Sequence, residues 1–295
     1  MFARRYFNDM KKFLTPLVAM CLVFVCAVSL TACKTTFEPA VFAISGIEPD
    51  EYGFAVLKGE NADVLAKIDE VVTTLKANNN RQLNQLVNYY TKVYEGNTPS
   101  FCPVNIPDVT QNTGGNLVVG TETDFPIFEF KISSKGSTLG TVTSVSGDII
   151  TGLDIAIMTL VADKLNKKLV VYDIPFDSLP GALATNIQVI AAAYSITADR
   201  EEIMDFSQPY YTTVQAILCS KKANLNSISK LSGKHIGVQR DTTGEELIES
   251  LIADKTLSGS TVMSYLRIAN LYSDLQDGKI DAIVVDEVVA KTLAG

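Results

Sequence analysis

From Leu117 onward the chain alternates short apolar runs with amphipathic stretches, and this alternation limits the possible folds more than any other feature. Runs at 117–120, 169–174, 187–193, 213–219, 235–239, 262–265 and 282–285 have the length and β-branched content of strands. Helical spacing falls between them at 152–165, 178–183, 244–252, 269–275 and 286–293. Strands that alternate with helices predict an α/β fold with mostly parallel sheets. The elements divide into two groups near 211–219, so two lobes are expected.

Upstream the period is purely helical. Val64, Leu65, Ile68, Val71, Val72 and Leu75 share one face of a helix over 61–78, and Leu83, Leu86, Val87, Tyr90 and Val93 share one over 81–94. Residues 95–116, rich in Pro, Gly, Asn and Thr, have no period and read as a linker. The 295 residues suit two modest domains. A net charge of −8 argues against a nucleic-acid partner, because phosphate binding needs a basic surface.

The first residues stand apart. Arg4, Arg5, Lys11 and Lys12 precede an apolar run over 13–30 and then Leu30-Thr31-Ala32-Cys33. That order reads as a secretory signal over 1–32, with Cys33 lipidated at the head of a tether over 33–37. An uncleaved membrane anchor is the alternative. Either reading places the globular part outside the cytoplasm, on the cell surface or the periplasmic face. Of the five cysteines, Cys21 and Cys26 leave with the signal, while Cys102 and Cys219 have no metal spacing and leave a disulfide open. The single histidine, His235, lies in a strand run and reads as structural. No metal or cofactor is expected.

Several phrases carry a resemblance. They are Leu117-Val-Val-Gly-Thr-Glu-Thr-Asp-Phe-Pro-Ile-Phe-Glu-Phe130, Gly152-Leu-Asp-Ile155, Ser195-Ile-Thr-Ala-Asp-Arg-Glu-Glu202, Asp205-Phe-Ser-Gln-Pro-Tyr-Tyr211, Gly237-Val-Gln-Arg-Asp-Thr-Thr243 and Asp281-Ala-Ile-Val-Val-Asp286. In this order they resemble the polar amino-acid solute-binding proteins, bacterial extracellular solute-binding protein family 3. The resemblance implies a two-lobed, type II periplasmic-binding-protein-like fold. It also implies capture of a free amino acid for an ABC importer, by a monomer. Ala156 and Gln188 depart from the family pattern at positions that read as structural.

The family's closing segments follow the equivalent of Asp286. Here Glu51-Tyr-Gly-Phe-Ala-Val-Leu-Lys-Gly-Glu60 and the two helices after it resemble that end, with 42–47 as its preceding strand. A circular permutation is therefore expected; the competing reading is a truncated member with an unrelated helical domain in front. Permutation gives one lobe from 51–94 and 117–212 and a second from 38–50 and 220–295. Hinge strands fall at 51–56 and 213–219, and 95–116 joins the ancestral termini.

The resemblance also assigns a site. Arg200 takes the ligand carboxylate, for which a planar guanidinium is suited, and Asp286 takes the ammonium. Thr242, Thr243, Ser195 and the backbone at Ala193 supply hydrogen bonds. Phe125 and Phe176 sandwich the side chain, and Glu122 and Gln239 face it. Several have a structural reading beside this one: a surface arginine at Arg200, a helix N-cap at Asp286, a capping box from Thr242 to Glu245, and core phenylalanines. An acid at Glu122 ranks arginine or lysine first, glutamine second and acidic ligands last. A dehydratase or a sensory module on the same fold is the rival function.

Overall fold

A computed structural model of the protein describes residues 37–99, 101–102, 104–136 and 138–295. The readings of a signal at 1–32, lipid on Cys33 and most of the tether at 33–37 lie outside the described residues.

The chain begins with β1 (Pro39–Ala43), β2 (Asp50–Tyr52), β3 (Ala55–Leu57) and a helical segment α1 (Ala62–Tyr94). It continues with β4 (Asn116–Thr121) and an antiparallel group of β5 (Asp124–Phe125), β6 (Glu129–Ile132), β7 (Val142–Thr143) and β8 (Ile149–Thr151). Helix α2 (Leu153–Lys164), β9 (Lys168–Asp173), α3 (Leu179–Leu183), β10 (Val189–Ile190), α4 (Ala198–Glu201) and β11 (Met204–Phe206) follow. After β12 (Tyr211–Thr213) and β13 (Gln215–Ser220) come β14 (His235–Gln239), α5 (Thr243–Ala253), β15 (Thr261–Tyr265), α6 (Ile268–Gln276), β16 (Ala282–Asp286) and α7 (Glu287–Ala294).

The expected helix pair is present within α1, broken by non-helical backbone at Ala77–Asn80. Three successive asparagines with positive φ make the break, a conformation asparagine tolerates better than most residues. Both apolar faces are buried, the first through Val64, Ile68, Val71, Val72 and Leu75. Each such side chain contributes about 1.5–3 kcal/mol on full burial, which holds α1 against α2. Helix α2 is apolar almost all round because the sheet covers its other face.

Two five-stranded sheets follow one plan. Their orders are β9-β4-β10-β3-β11 and β15-β14-β16-β13-β1. In each, three parallel strands are followed by a crossover strand antiparallel to them and an edge strand antiparallel to that one. The first sheet thus takes its crossover strand from residues near the start of the chain, and the second takes its edge strand there.

The chain passes between lobes through β2 and β12, which pair antiparallel from Tyr52↔Tyr211 to Asp50↔Thr213. The hinge strands expected at 51–56 and 213–219 overlap this pair at residues 51–52 and 213. Ala55–Leu57 and Gln215–Ser220 already belong to the sheets, and Ala216, Ile217, Leu218 and Cys219 are buried between β1 and β16. An apolar run paired on both sides is a central strand. The strand expected at 42–47 also moves, to Pro39–Ala43, because the chain bends at Gly46 with φ 84°. Cys102 and Cys219 are free thiols, the latter buried in the second core.

Candidate functional site

The C-terminal ends of β4 and β14 meet where Gln239 contacts Glu122, and the segments after them carry Glu122, Phe125, Thr242 and Thr243. Glu122 follows β4 and is 1% exposed. Gln239 ends β14, and its Nε2 donates to the Glu122 carboxyl. Arg267, at the N-terminus of α6, places Nη1 3.5 Å from Glu122, 3.7 Å from Asp124 and 2.9 Å from Asp173. Burial and then the charge of Asp124 push Glu122 up to about 9. Burial also opposes ionisation of Asp173, but hydrogen bonds from Lys131 and Arg267 outweigh it and hold Asp173 at about 2.

Arg200 is positioned by the one-turn helix α4, whose N-cap Thr197 accepts the Arg200 N–H. Its side chain is not a surface cap. Nη1 donates to the Ser195 carbonyl at 2.8 Å and Nη2 to the Asp241 carbonyl of the second lobe at 2.7 Å. The guanidinium carbon lies 4.1 Å from the Tyr194 ring centroid and 5.5 Å from that of Phe176.

Asp286 is the N-cap of α7 by position, yet its side chain makes no capping bond. It turns inward, where Gln215 Nε2 donates to Oδ1 at 3.2 Å. The same amide reaches Asp50 at 2.8 Å and Thr243 Oγ1 at 3.2 Å. Burial, and secondarily the charge of Asp50, raise Asp286 to about 7; the Arg200 guanidinium is close enough to pull in the opposite direction. The guanidinium of one lobe thus lies within electrostatic reach of the carboxylate of the other.

Other expected residues are committed to the framework. Thr242 Oγ1 accepts the Glu245 N–H at 3.3 Å, and the hydroxyl donates to the Gln239 carbonyl at 2.7 Å. The capping box closes one residue early, since the Glu245 carboxylate takes the Asp241 N–H. The Ala193 N–H donates to buried Asp154 at 2.9 Å and is not available to another acceptor there. Asp154, raised to about 7 by burial, also accepts the Tyr210 hydroxyl at 2.6 Å. Beside it Glu129 is raised well above the carboxylate range, by burial and then by Asp154. Phe125 is buried against Phe128, with ring centroids 6.0 Å apart. Gln188 accepts the Val118 N–H and donates to Asn61, a structural role.

The structure thus brings together Glu122 with Gln239, Arg200 with Ser195 and Phe176, and Thr243 with Asp286 through Gln215. Tyr194, Gln215, Asp50, Tyr52 and Arg267 join the site without having been expected. The signals were faint: a polar residue opening an apolar strand for Gln215, and a lone cation just past a strand end for Arg267. A separate cavity of about 290 Å³, lined by Ile106, Val109, Leu139 and Val170 among others, holds none of these residues.

Comparison with known proteins fits this geometry. The model of bacterial extracellular solute-binding proteins, family 3, matches residues 117–256. The arginine-binding extracellular protein ArtP of Bacillus subtilis is 28% identical over 176 residues, which cover 59% of this chain and 62% of that protein. The histidine-binding periplasmic protein of Escherichia coli is 29% identical over 177 residues, with the same coverage. The chain thus spans less than two thirds of the length of these curated relatives. The crystal structure of the substrate-binding protein of an amino acid ABC transporter superposes with a TM-score of 0.52 at 35% identity, over 60% of this chain and 72% of that one. With its two-sheet α/β architecture, the chain belongs to the family-3 bacterial extracellular solute-binding proteins.

Proposed function

We propose that the protein captures a free polar amino acid between its lobes and, on closing, presents it to an ABC importer. One observation supports this reading: Arg200 reaches across to the Asp241 carbonyl of the second lobe and lies within electrostatic reach of Asp286 there. A zwitterion offers a carboxylate to Arg200 and an ammonium to Asp286, so both ends are satisfied only in the closed form. The ligand favours closure through that difference in contacts. Relatives named for binding arginine and histidine support the class of ligand.

The protein acts outside the cytoplasm, held to the membrane by lipid on Cys33. Its order is a circular permutation of the family's. Support comes from the sheets, in which β3 and the α1 helices precede the lobes they complete, and from α7 packing on β1. Residues 95–116 then join the ancestral termini.

Residues 38–295 form one compact unit, so the test uses protein without the signal and lipid. Calorimetry against the amino acid giving the largest thermal shift should show Arg200→Ala weakening binding by about 3–6 kcal/mol, the loss of two charge-assisted hydrogen bonds, with the fold intact. Unchanged affinity refutes the assignment.

A further inference from the structure

Glu122 is the acid on which a preference for cationic ligands rests, and its surroundings alter that preference. Its carboxyl is buried and already takes the Gln239 amide. Arg267 stands at the same end of the cleft, its guanidinium within 4 Å of Glu122, Asp124 and Asp173. All three acids belong to the first lobe and Arg267 to the second, so the contact forms across the cleft. Asp124 also accepts the Ala269 N–H at the head of α6, which fixes the approach of that helix.

Most of the negative charge at this end is already paired. Asp173 is ionised and paired with both Arg267 and Lys131. Asp124 shares Arg267, and the desolvated Glu122 keeps its proton at neutral pH. Around Arg267 itself Asp124 and Asp173 face one guanidinium, and Lys131 adds a second cation that Asp173 shares with the more exposed Asp148. A ligand guanidinium or ammonium entering here meets an arginine of the protein in its place. A ligand carboxylate meets Asp124 and Asp173. What is left for a ligand is hydrogen bonding: buried Glu122 Oε1 makes no hydrogen bond, its nearest charged neighbour being Arg267 Nη1 at 3.5 Å.

We propose that Arg267 sets the specificity of the cleft, filling the cationic place opposite Glu122, Asp124 and Asp173 so that the site takes an amino acid with an uncharged carboxamide side chain in preference to arginine or lysine. This rests on the amino-acid-capture reading above. The carboxamide suits because it both donates and accepts, matching Glu122 on one side and Gln239 on the other. Among uncharged side chains, one lacking these groups leaves buried Glu122 Oε1 with only the 3.5 Å approach of Arg267 and no hydrogen bond, a standing cost.

The test is calorimetry with glutamine, asparagine, arginine and lysine on the wild type and on Arg267→Ala, Arg267→Gln and Arg267→Lys, with folding checked by circular dichroism. The wild type should bind glutamine or asparagine about tenfold or more tighter than arginine or lysine. Removing one cation at this distance should shift the ratio toward lysine and arginine by about tenfold or more in Arg267→Ala and Arg267→Gln, while Arg267→Lys keeps the wild-type order. A wild type that prefers arginine or lysine overturns the proposal whatever the variants do. So does a ratio that moves less than about threefold in both charge-removing variants. If no free amino acid binds the wild type, the capture reading fails and this inference falls with it.

Discussion

Protonation of Asp286 should control ligand affinity around neutral pH. Burial and the neighbouring Asp50 raise its pKa from 3.8 to about 7, a difference of roughly 4 kcal/mol between its two forms. Because the raised value means that the native state holds the proton more tightly than the unfolded chain, the associated stability is complete below about pH 4 and is lost as pH rises through about 7. An incoming ammonium needs the ionised form and offsets that loss. Affinity should therefore be about tenfold weaker near pH 6 than near pH 8, with about half a proton released per ligand bound near pH 7. Titration calorimetry in buffers of different ionisation heat measures both. Asp286→Asn should weaken binding by about 3–5 kcal/mol at the higher pH, since it leaves the ammonium without its counter-charge. It should also abolish the pH slope and raise the melting temperature of the free protein, because a buried charge beside Asp50 is gone. Asp154 sits near the same pKa, and the comparison with Asp286→Asn separates the two. A dissociation constant that is flat from about pH 6 to 8, or a variant that keeps the wild-type slope, refutes the reasoning.

Two further outcomes follow from the fold. Gly152 has φ 137°, and a Cβ there would lie 2.1 Å from the Phe128 carbonyl oxygen, so Gly152→Ala should cost at least about 4 kcal/mol in urea unfolding; an unchanged midpoint contradicts the packing described. Opening the chain within 95–116 and joining residue 295 to residue 38 through a flexible linker of about ten residues should preserve folding and amino-acid binding, because α7 already lies on β1; a recut protein that fails to fold counts against the permutation.

Much of the architecture was legible from pattern. Strands β4, β9, β14, β15 and β16 and helices α2, α5, α6 and α7 fall within a few residues of their apolar periods, since each buries a regular stripe or face. The antiparallel group β5–β8 was not legible. Its strands are two to four residues long, too short for alternation to declare itself. Strand β13 was seen as an apolar run but placed in the hinge, because sequence alone does not say what pairs on either side.

At the site, sequence determined which residue types were on hand: a guanidinium at Arg200, carboxylates at Glu122 and Asp286, and hydroxyls at Thr242 and Thr243. Only the tertiary structure decided which of them were free to act. Thr242 and the Ala193 amide are spent on holding the backbone, Asp286 turns away from its own helix, and Arg267 arrives from the other lobe beside Glu122. The physical reason is distance along the chain. Periodicity reports how a residue sits within its own element, whereas charge neutralisation and hydrogen-bond commitment depend on partners in other elements, as far apart in the chain as Arg267 and Glu122, which no local pattern encodes.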